Sequence, residues 1–369
     1  MESSNRLASP QLYTVGWITA LDKELAAATA VLDEEHKRPK GFKKHPRDDN
    51  NYAWGRIGDH HVVIASMAAG RYGIVSAATT AMQMVSSLPH LRFGLMVGIG
   101  AGVPRLDEGI NIRLGDIVVS QPTGTSPGVV QYDLGKLKAN GKSERVGSLA
   151  APPEVLLKGL TSLKADHIRK GSRVPKILEK MFQENSGMGQ DGPNGFRRPA
   201  DHYDQLYETS RSVQDATNIS NVTSDRDIPP ACPSPPDAKE RQNQPSETPK
   251  IHYGIIASGS SVVKDGIARD EILKRLDDKC ICFEMEAAGL MNNFPCLVIR
   301  GICDYADEHK NDRWQNYAAA TAAAFTKELL EIMDSEDIED TSPIGEAIKE
   351  CQFYKSSIHC NESINKWNF

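Results

Sequence analysis

Acidic residues that follow short apolar runs are the groups in this sequence best suited to chemistry. Asp304 comes just after the apolar run 296–302, and Glu284 and Glu286 follow a second, shorter run. A carboxyl group can protonate a leaving group, and a carboxylate can hold the vicinal hydroxyls of a sugar. Asp304 could equally be the N-cap of a helix, a position that aspartate favours.

A third acid and a series of glycines follow two other predicted strands. Glu24 lies in the first turn of a predicted helix, where a carboxylate either serves a site or is stabilised by the helix dipole. Gly98, Ile99 and Gly100 open a glycine-punctuated stretch after the run 91–97, which suits either a structural turn or the close approach of a backbone to a ligand. The residues alone leave both alternatives open.

The patterns of several other kinds of site are missing from these strand ends. They carry no serine–histidine pair, no cluster of metal ligands and no P-loop. Cys280 and Cys282 have the wrong spacing for zinc ligands, and the glycines do not match the dinucleotide pattern GxGxxG. We therefore expect neither a metal nor a cofactor. Ser258 ends another predicted strand and adds a hydroxyl to the possible site.

Alternating strands and helices must position these residues. Strands are predicted at 12–20, 52–57, 61–67, 91–97, 114–121, 251–258, 280–283 and 296–302. Helices are predicted at 21–32, 74–87, 151–183, 264–276, 284–291 and 314–335. This alternation predicts an α/β fold, a three-layer αβα arrangement with a central mixed twisted sheet. Because ligand sites of such sheets lie where strand ends meet, we expect the acids, the glycines and Ser258 to converge.

Composition divides the chain into a domain, an insertion and two tails. The predicted domain covers residues 12–335, between an N-terminal tail at 1–11 and a C-terminal tail at 336–369. Pro, Gly, Ser, Asn, Asp and Gln dominate about 185–250. Such a segment buries too little apolar surface to offset the ordering of its chain, so we expect a mobile, low-complexity insertion there.

Charge and hydropathy restrict the partners of the chain. The net charge of -6 offers no basic footprint for nucleic acid, and no stretch reaches the 18 apolar residues of a membrane span. Seven cysteines without paired spacing favour a reducing compartment, and no signal peptide is visible. We expect a cytoplasmic globular protein that binds neither nucleic acid nor membrane.

Two motifs closely resemble the paired signatures of the nucleoside phosphorylase superfamily: Phe283-Glu-Met-Glu-Ala-Ala-Gly289 and Arg300-Gly-Ile-Cys-Asp-Tyr-Ala-Asp307. That family includes purine and uridine phosphorylases and the methylthioadenosine/S-adenosylhomocysteine nucleosidases. The resemblance extends, in the family's order, to 15–24, 97–104, 115–120 and 258–263, and it is strongest to the fungal versions. The combination of motifs is specific, whereas each motif alone is weak.

The resemblance implies a role for individual residues. Asp304 matches the acid that protonates N7 of a purine, and Glu286 matches the glutamate that binds the ribose 2′ and 3′ hydroxyls. Met285 matches the residue that covers the sugar, but it could instead be a core methionine. Glu284 lies beside it and could instead form a salt bridge. Three residues match the wall of the family's base pocket: Phe283, Val262 and Val263. The alternative for these residues is plain packing in the core.

The loop after the first strand favours hydrolysis over phosphorolysis. Phosphorylases of this superfamily carry a Gly-Asp-Pro loop and a nearby arginine there, to grip phosphate. This chain has Thr19-Ala-Leu-Asp-Lys-Glu24, which resembles the nucleosidases, whose matching glutamate polarises the attacking water. A second phosphate contact, a Ser or Thr, is replaced by Ile99. Arg71 and Arg105 could contact phosphate instead, or could be ordinary surface charges.

The resemblance therefore implies a purine nucleoside N-ribosyl hydrolase with Asp304 and Glu24 as its catalytic residues. The alternatives are a phosphate-dependent purine nucleoside phosphorylase that gives ribose 1-phosphate and a non-catalytic nucleoside-sensing module. The expected partner is a purine nucleoside such as adenosine, and the family implies a homo-oligomer, a dimer or higher.

Overall fold

The structure of the chain is a computed structural model that describes residues 6–138, 143–192, 194–200, 204–207, 248–277 and 279–346. Most of the predicted insertion and the end of the predicted C-terminal tail lie outside the described residues. Within the described ranges, no helix combines the length and the apolar character needed to cross a membrane.

The strands of the described chain are numbered in chain order. They are β1 Val15–Thr19, β2 Glu34–His36, β3 Tyr52–Ile57, β4 His60–Ser66, β5 Phe93–Gly102, β6 Ile117–Ser120, β7 Val129–Gln131, β8 Gly135–Leu137, β9 Ser143–Arg145, β10 Ile251–Ser258, β11 Cys280–Glu284 and β12 Cys296–Asp304. The helices are α1 Asp22–Ala30, α2 Ile74–Ser87, α3 Glu154–Lys170, α4 Val174–Glu184, α5 Gly266–Arg275, α6 Gln315–Leu330 and α7 Ser335–Glu339.

One sheet joins ten of these strands. Its order is β11–β10–β6–β12–β5–β1–β4–β3–β2, with β7 beside β10. β1 pairs parallel to β4 and β5, and β12 pairs parallel to β5 but antiparallel to β6, so the predicted mixed sheet is confirmed. β11 also pairs with the end of β5, where Phe283 faces Ala101. That extra pairing brings the ends of β5, β11 and β12 together.

Helices cover both faces of the sheet. α6 packs against β12 and β5, and a Cβ placed on Gly301 would strike the backbone of α6. α2 packs against β1 and β4, where Met84 closely approaches Gly16. Gly16, Gly94 and Cys296 are aligned across three neighbouring strands and share one face of the sheet. Gly301 is five residues after Cys296, and because successive residues of a strand alternate sides, it lies on the opposite face. This confirms the predicted three-layer αβα arrangement.

The structural turn considered for the glycine-punctuated stretch after the run 91–97 is wrong, because β5 continues to Gly102. A Cβ on Gly98 would lie 2.3 Å from a carboxylate oxygen of Glu24, and a Cβ on Gly100 would lie 2.8 Å from Cys282 Sγ. These glycines therefore make room for neighbouring side chains inside a strand instead of turning the chain.

The helix predicted at 284–291 is also wrong. β11 ends at Glu284, and only a short 3-10 turn follows, at Ala287–Gly289. The Glu284 carboxylate accepts hydrogen bonds from the backbone N–H of Glu286 at 3.0 Å and of Ala287 at 2.9 Å. These bonds close a local turn in the place of the first helical turn.

Two long predicted helices are each divided. The predicted helix at 151–183 is α3 followed by α4, and between them the chain turns at Gly171, whose φ is 77°. The predicted helix at 314–335 ends at Leu330, and α7 starts after the N-cap Asp334, whose carboxylate accepts from Glu336 N–H.

The described parts of the predicted insertion bury several apolar side chains, which was not expected for a segment with so little apolar surface to bury. Met188, Phe196 and Leu206 are buried within the main hydrophobic core. Their burial was not predicted, because apolar residues scattered through a polar segment show neither the periodicity of a helix nor that of a strand. Residues 208–247, which hold the proline-rich stretch, lie outside the described residues.

Candidate active site

A cavity of about 400 Å³ lies at the carboxyl ends of β1, β5, β11 and β12. Ten of the residues selected from the sequence line it: Glu24, Ile99, Gly100, Val262, Val263, Phe283, Glu284, Met285, Glu286 and Asp304. The parallel strands β1, β5 and β12 end side by side, so residues far apart in the chain meet there.

Glu24 is held by backbone groups at one wall of the cavity. Its Oε2 accepts from the N–H of Ala20 at 2.7 Å and of Leu21 at 3.0 Å, and its Oε1 accepts from Ile99 N–H at 2.8 Å. Burial raises the pKa of Glu24, against the opposing effects of Arg300 and of these three N–H groups. An ionised carboxylate has about four acceptor positions, so one remains for a water molecule.

Arg300 lies behind the cavity and holds two of its carboxylates. Its Nη2 contacts Glu284 at a short hydrogen-bond distance and Glu286 Oε2 at 3.2 Å, and its Nη1 donates to Ile99 O at 3.3 Å. The guanidinium is fully buried, and burial lowers its pKa, but Glu284, Glu286 and Glu24 outweigh burial and raise the pKa above its ordinary value. Glu284 is engaged by Arg300 and by the turn that follows it, which is the salt-bridge alternative predicted for this residue.

Glu286 keeps part of its hydrogen-bonding capacity for a ligand. Its Oε1 accepts from Gly73 N–H at 3.3 Å and its Oε2 contacts Arg300, which leaves about two acceptor positions. Burial raises the pKa of Glu286 to about 7; Arg300 acts in the opposite direction, and Glu284 and Glu24 add to the rise. Two free acceptor positions on one buried carboxylate suit a pair of neighbouring hydroxyls.

Asp304 is the last residue of β12 and is not a helix cap, since the next helix, α6, begins at Gln315. Its Oδ1 accepts from Ala306 N–H at 2.9 Å, which stabilises the turn after the strand. Its Oδ2 lies 2.7 Å from Lys310 Nζ. Asp304 and Glu286 line the same cavity, so one ligand can touch both carboxyl groups.

Apolar side chains close the part of the cavity near Asp304. Phe283 packs edge-to-face against Tyr132, with ring centroids 5.7 Å apart, and Val263 packs against the same small cluster. Val262 is 43% exposed and borders the mouth of the cavity. These groups offer a flat base apolar contacts from the side.

Four residues considered from the sequence do not line the cavity. The Ser258 hydroxyl accepts from Ala288 N–H at 2.9 Å and is fully buried, so it supports the turn after β11. Gly98 lies behind Glu24. Of the arginines considered for phosphate, Arg71 is exposed at the surface and Arg105 pairs with Glu108 at 3.3 Å.

Several residues that the fold brings to the site were not predicted from the sequence. Arg300 was visible as a charge within an apolar strand, which in a buried position requires paired carboxylates. Lys310 lies in a polar stretch that carries no signal of its own. Other residues that line the cavity were not predicted either; they include Tyr72, Tyr132, Lys264 and Gln315.

A described part of the insertion contacts the segment that follows Asp304. Asp204 is buried, pairs with Arg113 at 3.2 Å and accepts a short hydrogen bond from the Tyr305 hydroxyl. Tyr207 stacks on the ring of His309, with centroids 3.6 Å apart. The segment 305–309 is thereby held from outside the cavity.

Comparisons with known proteins identify relatives of parts of this chain. No protein-family model matches it. A nucleotide-binding leucine-rich repeat (NLR)-like protein of Hyaloscypha variabilis is 41% identical over 324 residues, which are 87% of this chain and 29% of that protein. The ATP nucleosidase Cap17 of Escherichia coli is 36% identical over 86 residues, 22% of this chain and 17% of that protein. The chain spans less than a third of either relative.

Solved structures share the architecture at low sequence identity. One is the 5′-methylthioadenosine/S-adenosylhomocysteine nucleosidase of Neisseria meningitidis, with a TM-score of 0.52 and 16% identity over 87% of this chain and 99% of that one. Another is the futalosine hydrolase of Helicobacter pylori, with a TM-score of 0.53 and 15% identity over 88% of this chain and 99% of that one. At these identities the likeness establishes the fold.

Proposed function

We propose, from the premise that the chain has the nucleoside phosphorylase/nucleosidase fold, that it is a purine nucleoside N-ribosyl hydrolase releasing free base and ribose. The fold that the sequence resemblance implied is thereby confirmed. The observation that carries the proposal is the meeting of Asp304, Glu286 and Glu24 in one cavity. Three separate carboxyl groups can serve the base, the sugar and the nucleophile of one glycosidic bond.

Each carboxyl group has a separate task in the proposed reaction. A proton reaches N7 of the purine from Asp304, so the base leaves as a neutral molecule. Glu286 accepts hydrogen bonds from the 2′ and 3′ hydroxyls, which orients the ribose as it gains oxocarbenium character. Glu24 uses its remaining acceptor position to orient the water that attacks C1′, and takes up the proton that this water loses.

Electrostatics around Arg300 favours water over phosphate as the nucleophile. Glu24, Glu284 and Glu286 surround the single guanidinium, so the groups on this side of the cavity are negative overall when ionised. A phosphate dianion needs charge-assisted donors, and a carboxylate-rich site repels it. Arg71 and Arg105, both within the described chain, do not line the cavity to compensate, and of the two lysines that line it Lys310 is paired with Asp304.

Product analysis tests this proposal against its two alternatives. Adenosine, inosine, guanosine and methylthioadenosine would each be incubated with and without phosphate, and the base and sugar products separated chromatographically. Free ribose, or methylthioribose, without phosphate is the expected result. Ribose 1-phosphate that forms only with added phosphate would identify a phosphorylase. Binding heat in calorimetry without any product would identify a nucleoside-sensing module.

Two substitutions test the assigned residues in the same assay. Asp304→Ala and Glu24→Ala should each lower turnover by about 100-fold or more, as expected for positioned acid–base groups. A variant that keeps the wild-type rate would reject the role assigned to its residue.

A nucleotide is the second candidate substrate. Lys264 and Lys310 line the cavity and could face phosphate groups, and the E. coli relative is named an ATP nucleosidase. The relative from Hyaloscypha variabilis is named a nucleotide-binding protein, which also supports a nucleotide. Incubation with ATP should then release adenine and leave ribose 5′-triphosphate, at a kcat/KM above that of adenosine. A higher value for adenosine would reject the nucleotide.

A further inference from the structure

Lys310 contacts the group proposed to protonate the base. Its Nζ lies 2.7 Å from Asp304 Oδ2, and both residues line the cavity. In an ion pair of this kind the labile proton is on the lysine nitrogen. The carboxylate by itself then has no proton to give to N7 of a purine.

We propose that Lys310 is the proton reservoir of the site and passes its proton through Asp304 to the departing base. This inference rests on the proposed hydrolysis. Asp304 gives a proton to N7 and receives one from the Lys310 ammonium, so the carboxylate is restored and Lys310 becomes a neutral amine. The electron pair of the C1′–N9 bond moves to the base, the oxygen of water bonds to C1′, and the proton lost by that water goes to Glu24.

The two side chains differ in their access to solvent. The Asp304 side chain is 3% exposed, whereas the Lys310 side chain is 20% exposed. Lys310 can therefore regain a proton from water after each turnover, while Asp304 exchanges protons with its neighbours. Glu24 is 3% exposed and borders the same cavity, so its proton leaves once the products have dissociated and water fills the cavity.

A weak acid suits this reaction because the acceptor becomes basic late. N7 of an intact purine nucleoside is a poor base, and its basicity rises as the glycosidic electron pair moves into the ring. Proton transfer is most effective when donor and acceptor are matched in the transition state. A lysine proton is released only to a base that has begun to depart.

Burial prevents the Cys303 thiol, the other proton donor in contact with Asp304, from replacing Lys310. Burial lowers the pKa of Lys310, but the Asp304 carboxylate outweighs burial and raises it above its ordinary value. Cys303 Sγ lies 3.1 Å from Asp304 Oδ2, yet burial raises the pKa of its thiol well above the usual range, so it keeps its proton. Further charged or titratable groups near the pair or lining the same cavity are Asp312, Cys282, Tyr132, Lys264, Glu24, Glu284 and Glu286, with Arg300 behind it.

Two substitutions of Lys310 separate proton supply from simple charge pairing. Lys310→Met removes both the charge and the proton. Lys310→Arg keeps a cation beside Asp304, but a guanidinium does not release its proton at any workable pH. Lys279→Met is the control, because Lys279 is an exposed lysine, 66% accessible, that pairs with Asp277 away from the cavity.

The measurement is the pH profile of kcat/KM for base release between pH 5 and pH 10. In Lys310→Met the proton must come from solvent, whose hydronium concentration rises toward low pH, so the loss should be about 100-fold at pH 8 and shrink toward pH 5. Lys310→Arg should lose about 100-fold across the whole range. Wild-type activity in Lys310→Arg, or a Lys310→Met profile parallel to wild type, would overturn the relay.

A second readout does not depend on turnover. In protein labelled with 13C at the lysine ε-carbon, the Lys310 signal is assigned by its loss in Lys310→Met and followed during a pH titration. Asp304→Asn should lower the midpoint of that titration, because burial then acts without the carboxylate. An unchanged midpoint would show that the pair is not coupled and would overturn the relay. A wild-type protein that releases no base from any nucleoside or nucleotide would overturn the proposed function and the relay together.

Discussion

Gly98→Ala tests whether the glycines of β5 exist to place the Glu24 carboxylate. A Cβ at position 98 would lie 2.3 Å from Glu24 Oε1 and 2.7 Å from Arg300 Nη1. Ordinary van der Waals contact begins at 3.4 Å, so the carboxylate must retreat by about 1 Å. That movement lengthens its hydrogen bond from Ile99 N–H, now 2.8 Å.

The magnitude follows from overpacking and from the lost hydrogen bond. Overpacking a core costs about 1–3 kcal/mol, and a weakened hydrogen bond to a charged acceptor adds about 1.5–3 kcal/mol. Together these costs are about 2.5–6 kcal/mol, and a domain in the middle or upper part of the usual stability range, about 10–15 kcal/mol, remains mostly folded after such a loss. Displacing a catalytic group by about 1 Å costs about 100-fold in turnover. We therefore expect a folded variant with a strongly reduced rate.

Gly94→Ala is the matched control on the same strand. Its Cβ would lie 2.0 Å from the Phe294 ring, so the steric overlap is similar, but the contact is with the core and Gly94 does not line the cavity. Base release at 20 °C and urea denaturation would be measured for both variants. Similar losses of stability, with a loss of kcat confined to Gly98→Ala, are expected. Equal kcat values in the two variants would refute the assigned role of Gly98.

Two further predictions concern pH and the contact with the insertion. The pKa of Glu286 is raised to about 7 by burial, so folding gains stability from its proton below about pH 4.5 and loses it as pH rises toward 7. Relative to Glu286→Gln, the wild-type free energy of unfolding should fall by about 3 kcal/mol over that interval in urea titrations, and a pH-independent difference would contradict the shift. Tyr305→Phe removes the hydrogen bond to Asp204 and should destabilise the protein by about 1–3 kcal/mol in the same assay. Tyr253→Phe is the control, because the buried Tyr253 hydroxyl has no hydrogen-bond partner within the described chain, and an equal cost in both variants would contradict the prediction.

The acids and the glycines of the site differ in how well their structural context could be predicted from local sequence patterns. The strands that end near Glu24, Glu284 and Asp304 were predictable, because each is a short apolar run bounded by polar residues. Gly98 and Gly100 were interpreted as either a structural turn or a close approach to a ligand, because glycine serves both. Only the neighbour of a glycine, here Glu24 or Cys282, distinguishes the two uses.

Local sequence determined the alternation of strands and helices and placed acids at several strand ends, because side-chain periodicity and turn chemistry act over a few residues. Tertiary structure alone decided which charges meet. Arg300 reaches Glu284 and Glu286 across 16 and 14 residues, and its guanidinium also lies near Glu24 in the first turn of the distant helix α1. Such contacts depend on strand order and on the β11–β5 pairing, and no local pattern encodes either. The same holds for the protonation of the site, since burial and neighbouring charges set it, and both exist only in the folded chain.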